Sequence, residues 1–185
     1  MLFTCLPKKY ITRLSIFALI SQIPYMYFYH VVFDKLFALN VIFTLLFGLF
    51  VILIYDKYNK FVGFCALLSL GILAKVFNFD YGFYGVFIIF AFYLLRNKKA
   101  YMIIVFILSV IMKYYSIILK YGIPFSYLFL GNKTSMCMYF TCLSIIPILL
   151  YNGKRGKNAK YLFYIFYPIH LPILAFIANY SVNLL

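Results

Sequence analysis

Long apolar runs, separated by short clusters of basic and small polar residues, occupy almost the whole chain. Each is close to the length of about 20 residues that a helix needs to cross a hydrocarbon core. The first covers 11–33 and contains Pro24, and the second, 36–55, is uninterrupted. Runs at 61–77 and 79–95 follow, then 100–119 with Lys113 inside it, 134–151 with Pro147, and 161–182. The stretch 121–130 is apolar but too short to cross, and reads as a re-entrant or interfacial segment. Period-2 alternation is absent, so the runs are helices and not strands of an outer-membrane barrel. Those are the two ways a backbone can satisfy its hydrogen bonds in lipid. The pattern predicts an all-α integral membrane protein, a polytopic helical bundle of about seven transmembrane helices forming one domain over 1–185.

Composition agrees. Of 185 residues, 67% are apolar, against about 45–50% in a soluble domain. Such a chain has too much surface for its volume to hide that content in water. Seventeen residues are Lys or Arg and three are acidic, namely Asp34, Asp56 and Asp80. Without Glu there is no metalloprotease His-Glu pair and no EF-hand loop. The net charge of +14 would suggest nucleic acid in a soluble protein. Sorted by connection, however, twelve of the seventeen cations fall on one side, around Lys8, Lys57, Arg96 and Lys154. That is a positive-inside bias, and it places the amino end in the cytoplasm and the carboxyl end outside. The lipid bilayer is the expected partner and nucleic acid is not.

The amino terminus has the basic start of a signal peptide, but its apolar run is long and lacks a small-residue cleavage site, so it reads as a retained anchor. Tyr10, Tyr55, Tyr58, Tyr101, Tyr151 and Tyr161 sit at span ends, as an interfacial belt requires. Cys5, Cys65, Cys137 and Cys142 have no metal-ligand spacing with histidine. They read as small packing residues, and no metal is expected.

With so few polar groups in apolar runs, each is a candidate for chemistry. His170 lies ten residues beyond Lys160, about 15 Å along a helix, near the bilayer midplane. Pro168 and Pro172 flank it and donate no amide hydrogen, so the carbonyls of Tyr164 and Pro168 lose their helical partners and the helix is expected to break or kink. Asp80, in Asp80-Tyr81-Gly82-Phe83-Tyr84-Gly85, is expected near the outer interface, away from His170 in depth, as a solvated end, a partner for Lys75 or a catalytic group. Gly82 and Gly85 would admit a close neighbour. Lys113 is placed to snorkel. Asn40 and Thr44 are spaced to hydrogen-bond across helices, while Arg13, Ser21, Gln22 and Pro24 give the first run a polar stripe. The basic loops holding Arg96, Lys98 and Lys99, and Lys154 and Arg155, could meet cofactor phosphates, although topology explains them without a ligand. Neither is a P-loop.

The segments Arg13-Leu14 with Ile16 to Pro24, Leu39-Asn40-Val41-Ile42-Phe43-Thr44, Asp80 to Val86, Tyr151-Asn152-Gly153-Lys154-Arg155-Gly156, and Lys160 to Tyr164 leading into Tyr167-Pro168-Ile169-His170 together resemble the TraX family of bacterial membrane proteins. The resemblance implies a multi-pass protein of the bacterial cytoplasmic (inner) membrane. The implied activity is transfer of an acetyl group from cytoplasmic acetyl-CoA to an amino group, such as the amino terminus of pilin or another membrane-embedded acceptor. It gives His170 a role as base or acyl relay, Tyr164 and Tyr167 a role in orienting its ring, and the cytoplasmic cations a role with the cofactor's phosphates. The family pattern carries additional spans, with an Asp-His pair and a Gly-Arg segment, ahead of the Arg13 region. A shortened, catalytically inactive remnant is therefore one alternative. A small transporter or flippase gated at the last helix is another, and it would show an inverted repeat with paired broken helices.

Overall fold

The computed structural model describes residues 8–34, 37–122, 133–151 and 160–182. Among them the regular elements are all helices: α1 (Lys8–Phe33), α2 (Val41–Lys57), α3 (Lys60–Val76), α4 (Gly82–Leu95), α5 (Lys99–Tyr121), α6 (Lys133–Leu143), α7 (Ile145–Leu150) and α8 (Lys160–Val182). Two stretches, Tyr10–Phe33 and Lys99–Lys120, are long and apolar enough by themselves to cross a membrane. The chain divides into two compact units, residues 1–90 with 157–185, and residues 91–156.

The apolar runs and the helices correspond closely, and the departures have local causes. The sixth run is two helices, because Pro147 cannot donate to the carbonyl of Leu143. The chain turns at Ser144, whose hydroxyl donates to the Thr141 carbonyl at 2.7 Å. The second helix starts at Val41, later than the run that begins at 36. Asn40 is its N-cap in extended conformation, and the Asn40 side chain accepts from the Ile42 amide at 3.0 Å. The fourth starts at Gly82, not 79, because residues 77–81 close α3. Asn78 takes the left-handed conformation, with φ at 55°. The amides of Asn78 and Phe79 then donate back to the carbonyls of Lys75 and Ala74 at 3.2 and 2.9 Å, the double bond of a Schellman ending. The expected break in the last helix is not seen. α8 remains helical from Lys160 to Val182 through Pro168 and Pro172, since each proline removes one bond and leaves its neighbours intact.

In the first unit α1 packs along α8 and against α2, and α2 packs on α3. Gly63 makes that last approach possible: a Cβ there would meet the ring and backbone of Tyr55. The connections after α1 and α3 also meet. Leu39 and Phe79 form an isolated parallel bridge. The Leu39 amide donates to the Asn78 carbonyl at 3.1 Å, and the Asp80 amide donates to the Leu39 carbonyl at 2.9 Å. The Asn78 side chain adds a bond to the Phe37 carbonyl at 2.9 Å. The buried Phe79 ring anchors the pair against Phe47 and Phe43, with centroids 4.7 and 6.1 Å away. In the second unit α5 packs on α6, where the Tyr114 and Thr141 hydroxyls are hydrogen-bonded at 3.1 Å.

Asn78 thus combines a left-handed backbone with a bridging side chain. Asn78→Gly keeps the first and loses the second, whereas Asn78→Val loses both. Thermal unfolding in detergent is expected to rank wild type above Gly above Val, with Val lower by about 1–2 kcal/mol from the backbone alone.

Candidate functional site

Because α2 begins inside the unit, its first amides must find partners there. Each has one. The Val41 amide donates to the Tyr167 hydroxyl of α8. The Ile42 amide donates to the Asn40 side chain, and the Phe43 amide to the Asn40 carbonyl at 3.1 Å. One step earlier, the Asn40 amide donates to Gln22 Oε1 at 3.1 Å, and Gln22 Nε2 donates to the Ala38 carbonyl at 2.7 Å. Asn40 Nδ2 donates to the Ala18 carbonyl at 2.9 Å. Asn40 is fully buried and Gln22 half-buried. One amide on α1, one on the connection and one tyrosine on α8 therefore fix where α2 starts.

The bridged segment 77–81 is held by the same knot and delivers Asp80. Its carboxylate accepts a hydrogen bond from the hydroxyl of Tyr25, a residue of α1 that is 96% buried, and it lies within electrostatic range of Tyr167. Asp80 itself is exposed on its other side. It is therefore not at the far end of the bundle, as the sequence suggests. α1 continues about 12 Å beyond Tyr25, and α8 about 22 Å beyond Tyr167, at 1.5 Å per residue. The His170 imidazole lies one helical turn beyond Tyr167, with ring centroids 5.4 Å apart.

His170 is half-buried and stacks flat on Phe166, with centroids 5.0 Å apart and planes at 3°. Its Nδ1 is 3.1 Å from the Phe166 carbonyl. A carbonyl can only accept, so in the neutral ring Nδ1 carries the proton and Nε2 holds the lone pair. Tyr164 is turned elsewhere, against Phe17 of α1 at 4.8 Å. Phe17 also meets Tyr167 edge-on at 6.0 Å. Tyr167 thus lies within electrostatic range of Asp80 and in ring contact with His170, and Tyr164 sits a turn below it.

Of the basic residues, Arg96 and Lys99 line a cleft of about 420 Å³ in the second unit with Phe92, Met102, Pro147, Ile148 and Tyr151. Lys99 Nζ donates to the Tyr151 carbonyl at 3.0 Å, and Arg96 covers the Tyr93 ring at 4.5 Å. Lys98 lies over Tyr101 at 5.6 Å. Lys154, Arg155 and the segment 123–132 lie outside the described residues. Cys65 and Cys142 are free thiols, and no group of three metal-ligating side chains occurs among the described residues.

The family model described as TraX protein matches residues 4–178. The chain belongs to the TraX family. No curated protein and no solved structure matches it. Against that background the site of this TraX chain has one member that sequence reasoning passed over. Tyr25 continues the polar stripe of α1, one turn beyond Ser21 and Gln22, and that spacing was the signal available for it. Gln22 was visible as a polar residue in an apolar run, but its partners were not.

The knot makes a stability prediction. Gln22→Leu and Asn40→Leu each strand buried backbone groups, which costs about 1–3 kcal/mol. The two side chains serve different backbone groups, the residue-40 amide and Ala38 carbonyl for Gln22 and the Ile42 amide and Ala18 carbonyl for Asn40, so the double variant is expected to lose close to the sum in detergent unfolding.

Proposed function

We propose that this TraX-family chain is a membrane acetyltransferase that acetylates an amino group, the amino terminus of pilin or a similar acceptor, from cytoplasmic acetyl-CoA. The observation that carries the reading is the placement of Tyr167, within electrostatic range of Asp80 and Tyr25 and in ring contact with His170.

A membrane setting is supported by the outward faces. Ile23, Phe61 and Leu150 are each more than three-quarters exposed, and large apolar residues cover the outer sides of α1, α3, α5 and α8. Water would not tolerate that surface in an isolated soluble chain. Seven spans, with α6 and α7 forming one broken span, account for every apolar run. The distribution of cations then puts the amino end and the basic connections in the cytoplasm. The inner membrane follows from the family expectation.

The residues suit the chemistry. Asp80, steadied by the Tyr25 hydroxyl and open on its other side, attracts an ammonium acceptor. His170, with Nδ1 committed to the Phe166 carbonyl, offers Nε2 as the base that takes the amine proton. Tyr167 packs beside the His170 ring and is itself held by the Val41 amide. Acetyl-CoA, when bound, supplies an activated acetyl carbonyl. The acceptor ammonium gives up two protons as its nitrogen gains the acetyl carbon, and the C–S bond breaks; one proton goes to the departing thiolate and the other to solvent. The residues that fit the donor's phosphates are cations at the cytoplasmic helix ends. Arg13 at the start of α1, in the same compact unit as His170, is such a cation.

Acetylation of pilin-derived peptides, followed by mass spectrometry in proteoliposomes, tests the reading. His170→Ala and Asp80→Asn are expected to lower the rate by about 10²–10⁴, the range of a positioned acid or base, with membrane insertion unchanged. Wild-type rates in both variants would remove the site from the reaction. A wild-type chain that transfers nothing would favour the inactive-remnant reading.

A further inference from the structure

α1 and α8 enclose a groove of about 250 Å³ between Arg13, Ile16, Phe17, Ile20 and Tyr164. Its charge is confined to one end. Arg13 lies at the cytoplasmic end by the cation distribution, and Ile16, Phe17 and Ile20 make the remaining α1 wall apolar. The other end reaches the site. Phe17 touches Tyr164 and Tyr167, and Tyr167 faces His170.

The two ends of this seam have opposite charge. Arg13 and Tyr25, the residue that holds Asp80, are separated by twelve positions on α1, about 18 Å along the axis. Arg13 lies in the second turn of α1 with its side chain exposed at the mouth of the groove. Its planar fork suits phosphate better than lysine does. An ammonium acceptor is repelled at Arg13 and attracted at Asp80; an anionic donor has the reverse preference.

We propose that the α1–α8 groove admits the acyl donor: Arg13 holds a phosphate group, and Ile16, Phe17 and Ile20 guide the thioester arm that follows it toward Tyr167 and His170. This rests on the acetyltransferase reading and adds the route. The donor enters from the Arg13 end and the amine from the Asp80 end, so the acceptor never crosses the donor's path. The groove's volume suits the arm alone, leaving the nucleotide outside it.

The test is equilibrium binding of radiolabelled coenzyme A to the full chain in nanodiscs of zwitterionic lipid, with thermal unfolding as a folding control. Arg13→Gln is expected to weaken binding at least about tenfold, the effect of one charge-assisted contact, and Arg13→Lys to weaken it less. Ile20→Trp fills the groove from an exposed position and is expected to abolish binding even if Arg13→Gln proves unstable. The double variant Arg96→Gln with Lys99→Gln is expected to bind as wild type does. The proposal is overturned if that double variant loses coenzyme A while Arg13→Gln and Ile20→Trp keep it, and acetyl transfer by the wild type would then still stand. It is also overturned if discs of anionic phospholipid suppress binding as fully as Arg13→Gln does, which would make the groove a lipid site. A wild-type chain that binds no coenzyme A defeats both the route and the acetyltransferase reading.

Discussion

A helix that starts in the interior of an apolar bundle exposes amide hydrogens that water cannot reach, and α2 is such a helix. Everything around its first turn answers that constraint. Asn40 caps it, Gln22 of α1 accepts from the cap's own amide, and the Tyr167 hydroxyl of α8 takes the hydrogen of Val41. Each unsatisfied group in hydrocarbon would cost several kcal/mol. The three elements are therefore tied to one another through α2, and the α1–α8 pairing inherits its register from that tie.

The functional arrangement follows from the same tie. The segment that precedes α2 pairs edge to edge with the segment that follows α3, through the bonds between Leu39, Asn78 and Asp80. Irregular backbone in a protein interior is tolerated where its polar groups are paired, as these are. Here it places a carboxylate beside Tyr25 and Tyr167, in the middle of the long helices. A single tyrosine consequently has two duties. Its hydroxyl completes the start of α2, and its ring packs beside His170. The continuity of α8 through Pro168 and Pro172 keeps His170 one turn from Tyr167.

The sequence made the helices legible because continuous apolar runs leave the backbone few alternatives, and seven runs became α1 to α8 with shifts of a few residues. The shifts occurred where a polar side chain acts on backbone: Asn40 as a cap, Asn78 in a left-handed turn, Ser144 ahead of Pro147. His170 and Asp80 stood out through the scarcity of polar groups, but the contacts of Asp80 with Tyr25 and Tyr167 did not. The pairing of Leu39 with Phe79 joins residues forty positions apart and leaves no periodic trace. Without it, Asp80 reads as the end of a span. Tyr25 was hidden among twenty tyrosines, most of which suit an interfacial belt equally well. The opposite charge at the two ends of the α1–α8 seam likewise emerges only once Asp80 is moved inward.

The central claim is that Asp80 meets Tyr25 and Tyr167 inside the bundle. Solid-state NMR of the chain in membranes, with tyrosines labelled with ¹³C at the hydroxyl-bearing ring carbon, reads that contact directly. Signals are assigned by replacing Tyr25 and Tyr167 with phenylalanine one at a time. Neutralising the carboxylate with Asp80→Asn is predicted to shift those two resonances and leave Tyr58 and Tyr101 where they are. If all four stay in place while the protein remains folded, Asp80 lies elsewhere and the account is wrong.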